Sequence, residues 1–326
     1  MILTQLPDLP PRPATVRNAA FRRMFYERWG KENWIVCGRA QRAEYPEHRQ
    51  TCSIKAVFQG SEHYYVGRRR LTVTDETYLV LNEGRSYGSQ LQAPAEAFSF
   101  AIFFRPGLQA EVAHAARLNV EQALDIYAER GHAPLEFNEN LRRHDKVVSP
   151  VLQYIRRHVE MGVDDPGWYE EQFYYLLTRM LRREQQLAEL PQRIDCVRAS
   201  KRQELMRRLG WATDFMHSNL HRALSLDDLA EAARISPFHF LRTFRQLHGV
   251  TPMEYLREQR AHRALALLES TDVPVAQVAQ LVGLTRLTLW RTVSKTAGSN
   301  PKTLRRVAKM KTAQSSDRAV EEEESG

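Results

Sequence analysis

Leu226-Asp-Asp-Leu229-Ala230, Phe240-Leu-Arg242-Thr-Phe244 and Gly249-Val-Thr-Pro252 decide the reading of this chain, because the pattern returns downstream. The second copy runs Val275-Ala-Gln-Val278-Ala279, Leu289-Trp-Arg291-Thr-Val293 and Gly298-Ser-Asn-Pro301. Leu229 and Val278, Arg242 and Arg291, Gly249 and Gly298, and Pro252 and Pro301 each stand 49 residues apart. A constant offset, with apolar on apolar, Arg on Arg and a shared Gly-x-x-Pro stop, marks an internal repeat. Each copy reads as helix, tight turn, helix. The short helices are Leu226–Ala233 and Val275–Val282, and the turns are Arg234-Ile-Ser236 and Gly283-Leu-Thr285. Ser236 stands at the N-cap of the next helix with Pro237 at its first position, and Gly249 and Gly298 end the second helices.

Helical phase divides the second helices into two faces. Phe240, Phe244 and Leu247 fall on one side and should pack on the first helix of their unit. Phe238, Leu241, Arg242 and Arg245 fall on the other, with Pro237 and His239 at the exposed start. In the second copy Leu289 and Val293 turn inward, while Leu287, Trp290, Arg291 and Ser294 turn outward beside Arg286. Paired arginines beside exposed apolar side chains suit a helix laid in a major groove. There Arg grips guanine O6 and N7, and apolar groups meet thymine methyls. Pro252 to Glu269 reads as one connector helix, about 27 Å long at 1.5 Å per residue. That length suits two recognition helices about 34 Å, one duplex turn, apart. Residues 221–310 hold fourteen Lys and Arg against seven Asp and Glu, and the basic end (Lys302, Arg305, Arg306, Lys309) suits phosphate contacts.

Residues from about 205 to 308 resemble the DNA-binding domain of the AraC/XylS family of bacterial transcription regulators. SPFHFLRTFRQLHGVTP is similar to that family's first recognition helix, and VAQVAQLVGLTRLTLWRTVSKTAGSNPKTLRR to its signature region. The chain departs from the family pattern at Leu284, where a Phe is usual, and at Leu241 and Trp290, where small polar residues are usual. The resemblance implies a sequence-specific regulator of double-stranded DNA, an activator, that works with RNA polymerase as a homodimer. It further implies a cupin-like domain ahead of the DNA-binding domain, serving effector binding or dimerisation.

The N-terminal texture fits that arrangement. Short β-rich runs (Trp34–Cys37, Ser53–Phe58, His63–Val66, Leu71–Thr74, Tyr78–Leu81 and Phe98–Phe104), broken by turn signals, argue for an antiparallel barrel or sandwich. Residues 15–29 carry Phe21, Phe25 and Trp29 at helical spacing, and helices are expected near 108–130, 149–161, 168–189 and 202–219. The sets Val151, Leu152, Ile155, Val159 and Phe173, Leu176, Leu177, Met180, Leu181 form either a dimer interface or intrasubunit core. The expected fold class is therefore α+β. A cupin-like antiparallel β-barrel with a helical pair occupies 1–190, followed by a linker over 191–204. An all-α domain of two helix-turn-helix units, 226–249 and 275–298, joined by a connector helix occupies 205–310, and 311–326 is a disordered acidic tail.

A small-molecule effector would meet Tyr64, Tyr78, Tyr87 and Phe100, although aromatic residues at strand spacing equally form core. His48 and His63 stand alone, and Tyr87 falls where the second cupin motif usually offers His. No metal, cofactor or catalytic residue is therefore expected, and the chain is read as a non-enzyme. The rival readings are a metal-dependent cupin enzyme with a DNA-binding appendage, and a DNA-binding protein indifferent to sequence. Cys37, Cys52 and Cys196 are odd in number and lack a CxxC pairing, which argues against a disulfide framework and for a reducing cytoplasm. No signal peptide or membrane-spanning run is legible. Of the net charge of +8, residues 221–310 carry +7.

Overall fold

A computed structural model of the chain describes residues 2–4, 6, 27–121, 136–189, 199–271 and 273–306. The chain divides into two compact units, Met1–Arg207 and Arg208–Gly326. The first unit is a nearly closed barrel built on one eight-stranded sheet. Its strands are β1 (Ile2–Leu3), β2 (Trp34–Arg49), β3 (Ser53–Phe58), β4 (Ser61–Val66), β5 (Arg69–Thr74), β6 (Thr77–Leu81), β7 (Ser86–Phe103) and β8 (Leu141–Arg143). The sheet order is β1-β2-β7-β3-β6-β8, with β4 pairing β5 and β7. All pairings are antiparallel except the short β1–β2 contact.

Two strands run much further than their hydrophobic patterning predicts. β2 continues past Cys37 to Arg49, and β7 begins at Ser86 rather than Phe98. Their added segments, GRAQRAEYPEHR and SYGSQLQAPAEA, are polar and carry prolines, which hides them from a β-propensity reading. They form because each is the other's partner, from Arg42 opposite Gln92 to Arg49 opposite Ser86, with register shifts after Ala40 and Tyr45. β8 was also not legible; it pairs with β6 at the sheet edge.

Alternation along the strands sorts side chains onto two faces. Ile54, Ala56, Tyr78, Val80, Phe98, Phe100 and Ile102 belong to a core shared with the helices α1 (Leu108–Glu121), α2 (Ser149–Glu160) and α3 (Pro166–Glu189). Val57, Tyr64, Leu71, Val73, Leu79, Leu81, Tyr87 and Leu91 form a second cluster on the barrel's inner face. The apolar sets of α2 and α3 are all buried against the first core, so they are intrasubunit packing. Of the helices expected at 15–29 and 108–130, residues 15–26 and 122–130 lie outside the described residues, as does the tail 311–326.

The second unit begins within α4 (Ala199–Ser218), so 199–204 of the expected linker is already helical. It continues with α5 (Leu226–Ala233), α6 (Pro237–His248), α7 (Pro252–Ser270), α8 (Val275–Leu281) and α9 (Arg286–Ala297), and residues 301–306 are again helical. Capping chemistry sets the boundaries. Ser225 and Asp228 form a capping box at α5, and Thr251 and Glu254 form another at α7. Pro252 opens α7 and Pro237 opens α6. Ser236 occupies the N-cap of α6, but its side chain makes no capping bond; at α9 Thr285 accepts from the Thr288 amide. Gly249 and Gly298 close α6 and α9 in the left-handed conformation, as their sequence position predicts.

Candidate nucleic-acid interface and barrel cleft

The two recognition helices are held from behind by their inward faces. Phe240, Phe244 and Leu247 of α6 are buried, with the Phe240 and Phe244 rings 5.4 Å apart. Leu289 and Val293 of α9 are completely buried in a cluster with Leu268, Val278 and Val282. Fully burying a side chain of this size contributes about 1.5–3 kcal/mol. This packing fixes the rotation of each helix and thereby chooses which residues face out.

On α6 the outward residues are Pro237, Phe238, His239, Arg242 and Arg245; on α9 they are Arg286, Leu287 and Arg291. Phe238 is 80% exposed and Leu287 61% exposed, values at odds with structural duty for such large apolar groups. The structure thus brings most of the expected contact residues onto matching faces. Leu241 and Trp290 are only half-buried and sit at the edge of those faces. Lys302 is exposed, but Arg305 is not the exposed phosphate contact its basic neighbourhood suggests. It is half-buried, and its Nη2 donates to the Val273 carbonyl, bracing helical residues 301–306 against the segment before α8.

The turns of the two units differ in what surrounds them. Arg234 and Gly283 occupy equivalent positions, 49 residues apart, and both adopt the left-handed conformation, at φ 54° and 64°. The Arg234 carbonyl accepts from Arg208 at 2.9 Å, and its guanidinium lies 5.3 Å from the Trp211 ring centre. At Gly283 an added Cβ would lie 2.5 Å from the Leu220 carbonyl oxygen. Arg260 of α7 reaches the same strip of chain: its Nε donates to the Leu220 carbonyl at 3.0 Å and its Nη2 to the Arg222 carbonyl. The segment ahead of the first unit is therefore gripped by the connector and by the turn of the second. Sequence reading missed Arg260, which looked like one more surface arginine.

A separate site lies inside the barrel. A narrow cleft is lined on one side by Leu6, Trp29, Val36, Ala101 and Phe103. Tyr45, His48, Glu62, Tyr64, Tyr87, Ser89 and Ser99 supply its polar side, and Lys55 reaches into it. Of the four residues expected to meet an effector, Tyr64 and Tyr87 line this cleft. Tyr78 and Phe100 do not: strand alternation turns them to the opposite face, into the core beneath the helices. There the Tyr78 hydroxyl donates to Asp145 at 3.1 Å. The missed signal was a lysine on the inward phase of Ser53–Phe58, opposite the apolar phase of Ile54 and Ala56.

Lys55 is 2% exposed, and its Nζ lies 3.5 Å from the Phe103 ring centre and 5.0 Å from that of Tyr87. Burial pushes its ammonium well below the usual lysine value, with Glu62 opposing the shift. Glu62 is also buried; its Oε2 accepts from the Ser99 hydroxyl at 2.7 Å, and the Tyr64 hydroxyl bonds to it as well. His48 bonds the Pro46 carbonyl through Nδ1 and lies against Tyr87, ring centres 4.8 Å apart. Cys37 and Cys52 are buried, and burial raises both thiols, that of Cys37 to about 11, so neither is a ready thiolate. Cys196 lies outside the described residues. Among the described residues no three or more His, Cys, Asp or Glu side chains gather as a metal site, and no helix is long and apolar enough to cross a membrane.

Comparison with known proteins places these features. Residues 229–307 match the model of a helix-turn-helix domain family. The bifunctional transcriptional activator/DNA repair enzyme AdaA of Bacillus subtilis is 30% identical over 119 residues, which are 35% of this chain and 56% of that protein. The MmsAB operon regulatory protein of Pseudomonas aeruginosa is 36% identical over 69 residues, 21% of this chain and 22% of that protein. Among solved structures, the DNA-binding domain of AdpA in complex with a target DNA is 30% identical, with a TM-score of 0.32. That match covers 33% of this chain and 97% of the other. The chain thus spans about half the length of the first of these relatives and less of the second.

Proposed function

We propose that the C-terminal unit is a DNA-binding domain of the AraC/XylS type and that the chain is a sequence-specific transcription regulator, an activator that engages RNA polymerase. The single observation that carries this reading is the matched pair of outward faces. Phe238, Arg242 and Arg245 on α6, and Leu287 and Arg291 on α9, stand on helices whose opposite sides are fully committed to packing. Arg242 and Arg291 lead base recognition through guanine, and the exposed apolar groups meet thymine methyls. Lys302 contacts phosphate and fixes register without reading sequence. The connector α7, 19 residues or about 28 Å long, spaces the two helices for successive major grooves on one duplex face.

In this reading the protein works in the cytoplasm as a homodimer, and a small-molecule effector in the barrel cleft sets whether the DNA-binding unit is productive. The test is selection of binding sites from random duplexes with purified full-length protein. A defined operator, long enough for two half-sites per protomer, is the expected result. Equal affinity for all duplexes would remove the claim of sequence-specific regulation.

A further inference from the structure

We propose that Lys55 is a covalent capture site for a small unbranched aliphatic aldehyde, of the size of acetaldehyde or propanal, held in the barrel cleft as an imine on Nζ. The purpose of such a capture rests on the reading of the barrel as an effector domain; its chemistry rests on the cleft alone. Lys55 stands on β3, is 2% exposed, and lines the cleft. Among the described residues its Nζ makes no hydrogen bond and no ion pair. The ring centres of Phe103 and Tyr87, at 3.5 and 5.0 Å, flank it instead. Desolvation disfavours the charged form, so the amine is weighted toward the neutral state in which its lone pair is free to react. A lysine desolvated among apolar groups is an activated nucleophile, and carbonyl carbon is what such an amine attacks. Glu62, the carboxylate in the same lining, is already engaged by the hydroxyls of Ser99 and Tyr64.

Size and charge select the electrophile. The cleft holds about 50 Å³. At about 10–15 Å³ for each water-sized group, that is room for about four heavy atoms. It is far below the roughly 300–1,000 Å³ of a site for a drug-sized molecule. Trp29, Val36 and Ala101 form an apolar wall, so the few atoms beyond the carbonyl are hydrocarbon. An aldehyde suits an amine hemmed in by two rings better than a ketone, because its carbonyl carbon bears only hydrogen on one side. Carbon dioxide is small enough as well, but its adduct is a carbamate, and a buried anion beside Glu62 is disfavoured. The imine of an aldehyde is formed neutral and takes away a buried amine that is costly to keep unpaired. The step balances without a co-reactant. The Nζ lone pair bonds to the carbonyl carbon, and the carbonyl oxygen takes one Nζ proton to become a hydroxyl. That hydroxyl leaves as water with the second Nζ proton as the C=N bond forms. Nothing is oxidised or reduced, and water reverses the capture. The hydroxyls of Tyr87, Ser89 and Ser99 lie in the same lining and serve to relay these protons.

The experiment treats the full-length protein, without DNA, with acetaldehyde or propanal and cyanoborohydride at neutral pH. Peptide mass spectrometry then locates the N-ethyl or N-propyl groups that reduction of each imine leaves behind. Lys55 should be alkylated at least about tenfold faster than the exposed Lys31, Lys146 and Lys302. In urea, where all amines meet solvent alike, that preference should vanish. Pivalaldehyde, too bulky for the cleft, should alkylate the exposed lysines and spare Lys55. The proposal is overturned if Lys55 does not lead the exposed lysines by that margin, if urea leaves the preference intact, or if pivalaldehyde takes Lys55 as readily as propanal does. Every comparison is made within the unmodified protein, so none depends on a variant that folds. Because no DNA is present, failure here leaves the DNA-binding reading standing, and failure of operator selection leaves this result standing.

Discussion

Arg234 and Gly283 hold the same place in two copies of one motif, in the same left-handed conformation, yet only one of them has room for a side chain. The Arg234 side chain extends over Trp211, whereas a Cβ at Gly283 would strike the Leu220 carbonyl. A non-glycine residue in that conformation costs about 1–3 kcal/mol before any clash is counted. Gly283→Ala should therefore destabilise the C-terminal unit by about 2–4 kcal/mol, read as a lowered urea midpoint. Arg234→Gly should change that midpoint by no more than about 1 kcal/mol, because relief of the backbone offsets the lost stacking. Equal effects at the two positions would contradict the assigned difference in surroundings. At the reading surface, Arg242→Ala should cost about 1–3 kcal/mol on the selected operator and relax preference at one base position. Unchanged operator binding, measured by competition, would displace α6 from the role assigned to it.

Among the elements, α6 carries both an outward face with Phe238, Arg242 and Arg245 and, at its other end, a histidine packed between aromatic rings. His248, in its last turn, packs on Phe244 with ring centres 4.2 Å apart and on Tyr255 of α7 at 5.1 Å. Burial lowers its imidazole to about 4, so the folded unit holds it neutral while the unfolded chain protonates it near 6.5. The stabilisation is complete above about 6.5 and is lost as the pH falls from there toward about 4. Amide protection factors along α6, taken relative to intrinsic exchange at each pH, should fall across that window, and His248→Phe should flatten the change; an identical acid profile in the variant would refute the assignment. The elements also show why some parts of the chain were legible and others were not. α5, α6, α8 and α9 announced themselves because apolar residues at helical spacing recur twice, with Pro and Gly at their ends. The outer halves of β2 and β7 stayed hidden because they are polar and become strands only through each other, a pairing between residues about forty positions apart. Arg305 was misplaced for a related reason: a basic run records charge, whereas the Val273 carbonyl that takes up its guanidinium is a tertiary contact.

For the molecule as a whole, the charge is concentrated in one stretch: residues 221–310 carry +7 of the total +8. Binding to DNA should weaken steeply with added salt as condensed counterions are released. Lys302→Ala should lower affinity for all duplexes alike and reduce the salt slope by about one. A sequence-dependent loss in that variant would mean that Lys302 reads bases. The double helix-turn-helix was legible from the repeat. The barrel cleft was legible only in part: Tyr64 and Tyr87 were singled out for being aromatic, while Lys55, which gives the cleft its chemistry, sits in a run that reads as an ordinary buried strand.

That lysine also bears on how this chain would respond to engineering. Lys55, a buried amine with no hydrogen-bonding partner among the described residues, lowers the stability of the barrel, and its replacement by a hydrocarbon side chain of similar length removes the desolvation penalty. Lys55→Met should raise the melting temperature of the N-terminal unit, by about 2–4 °C for each kcal/mol relieved, as scanning calorimetry would record; a lowered value would show that Lys55 is structurally required. A selection for thermostability alone would therefore discard Lys55 early, producing a hardier barrel whose cleft has lost its amine.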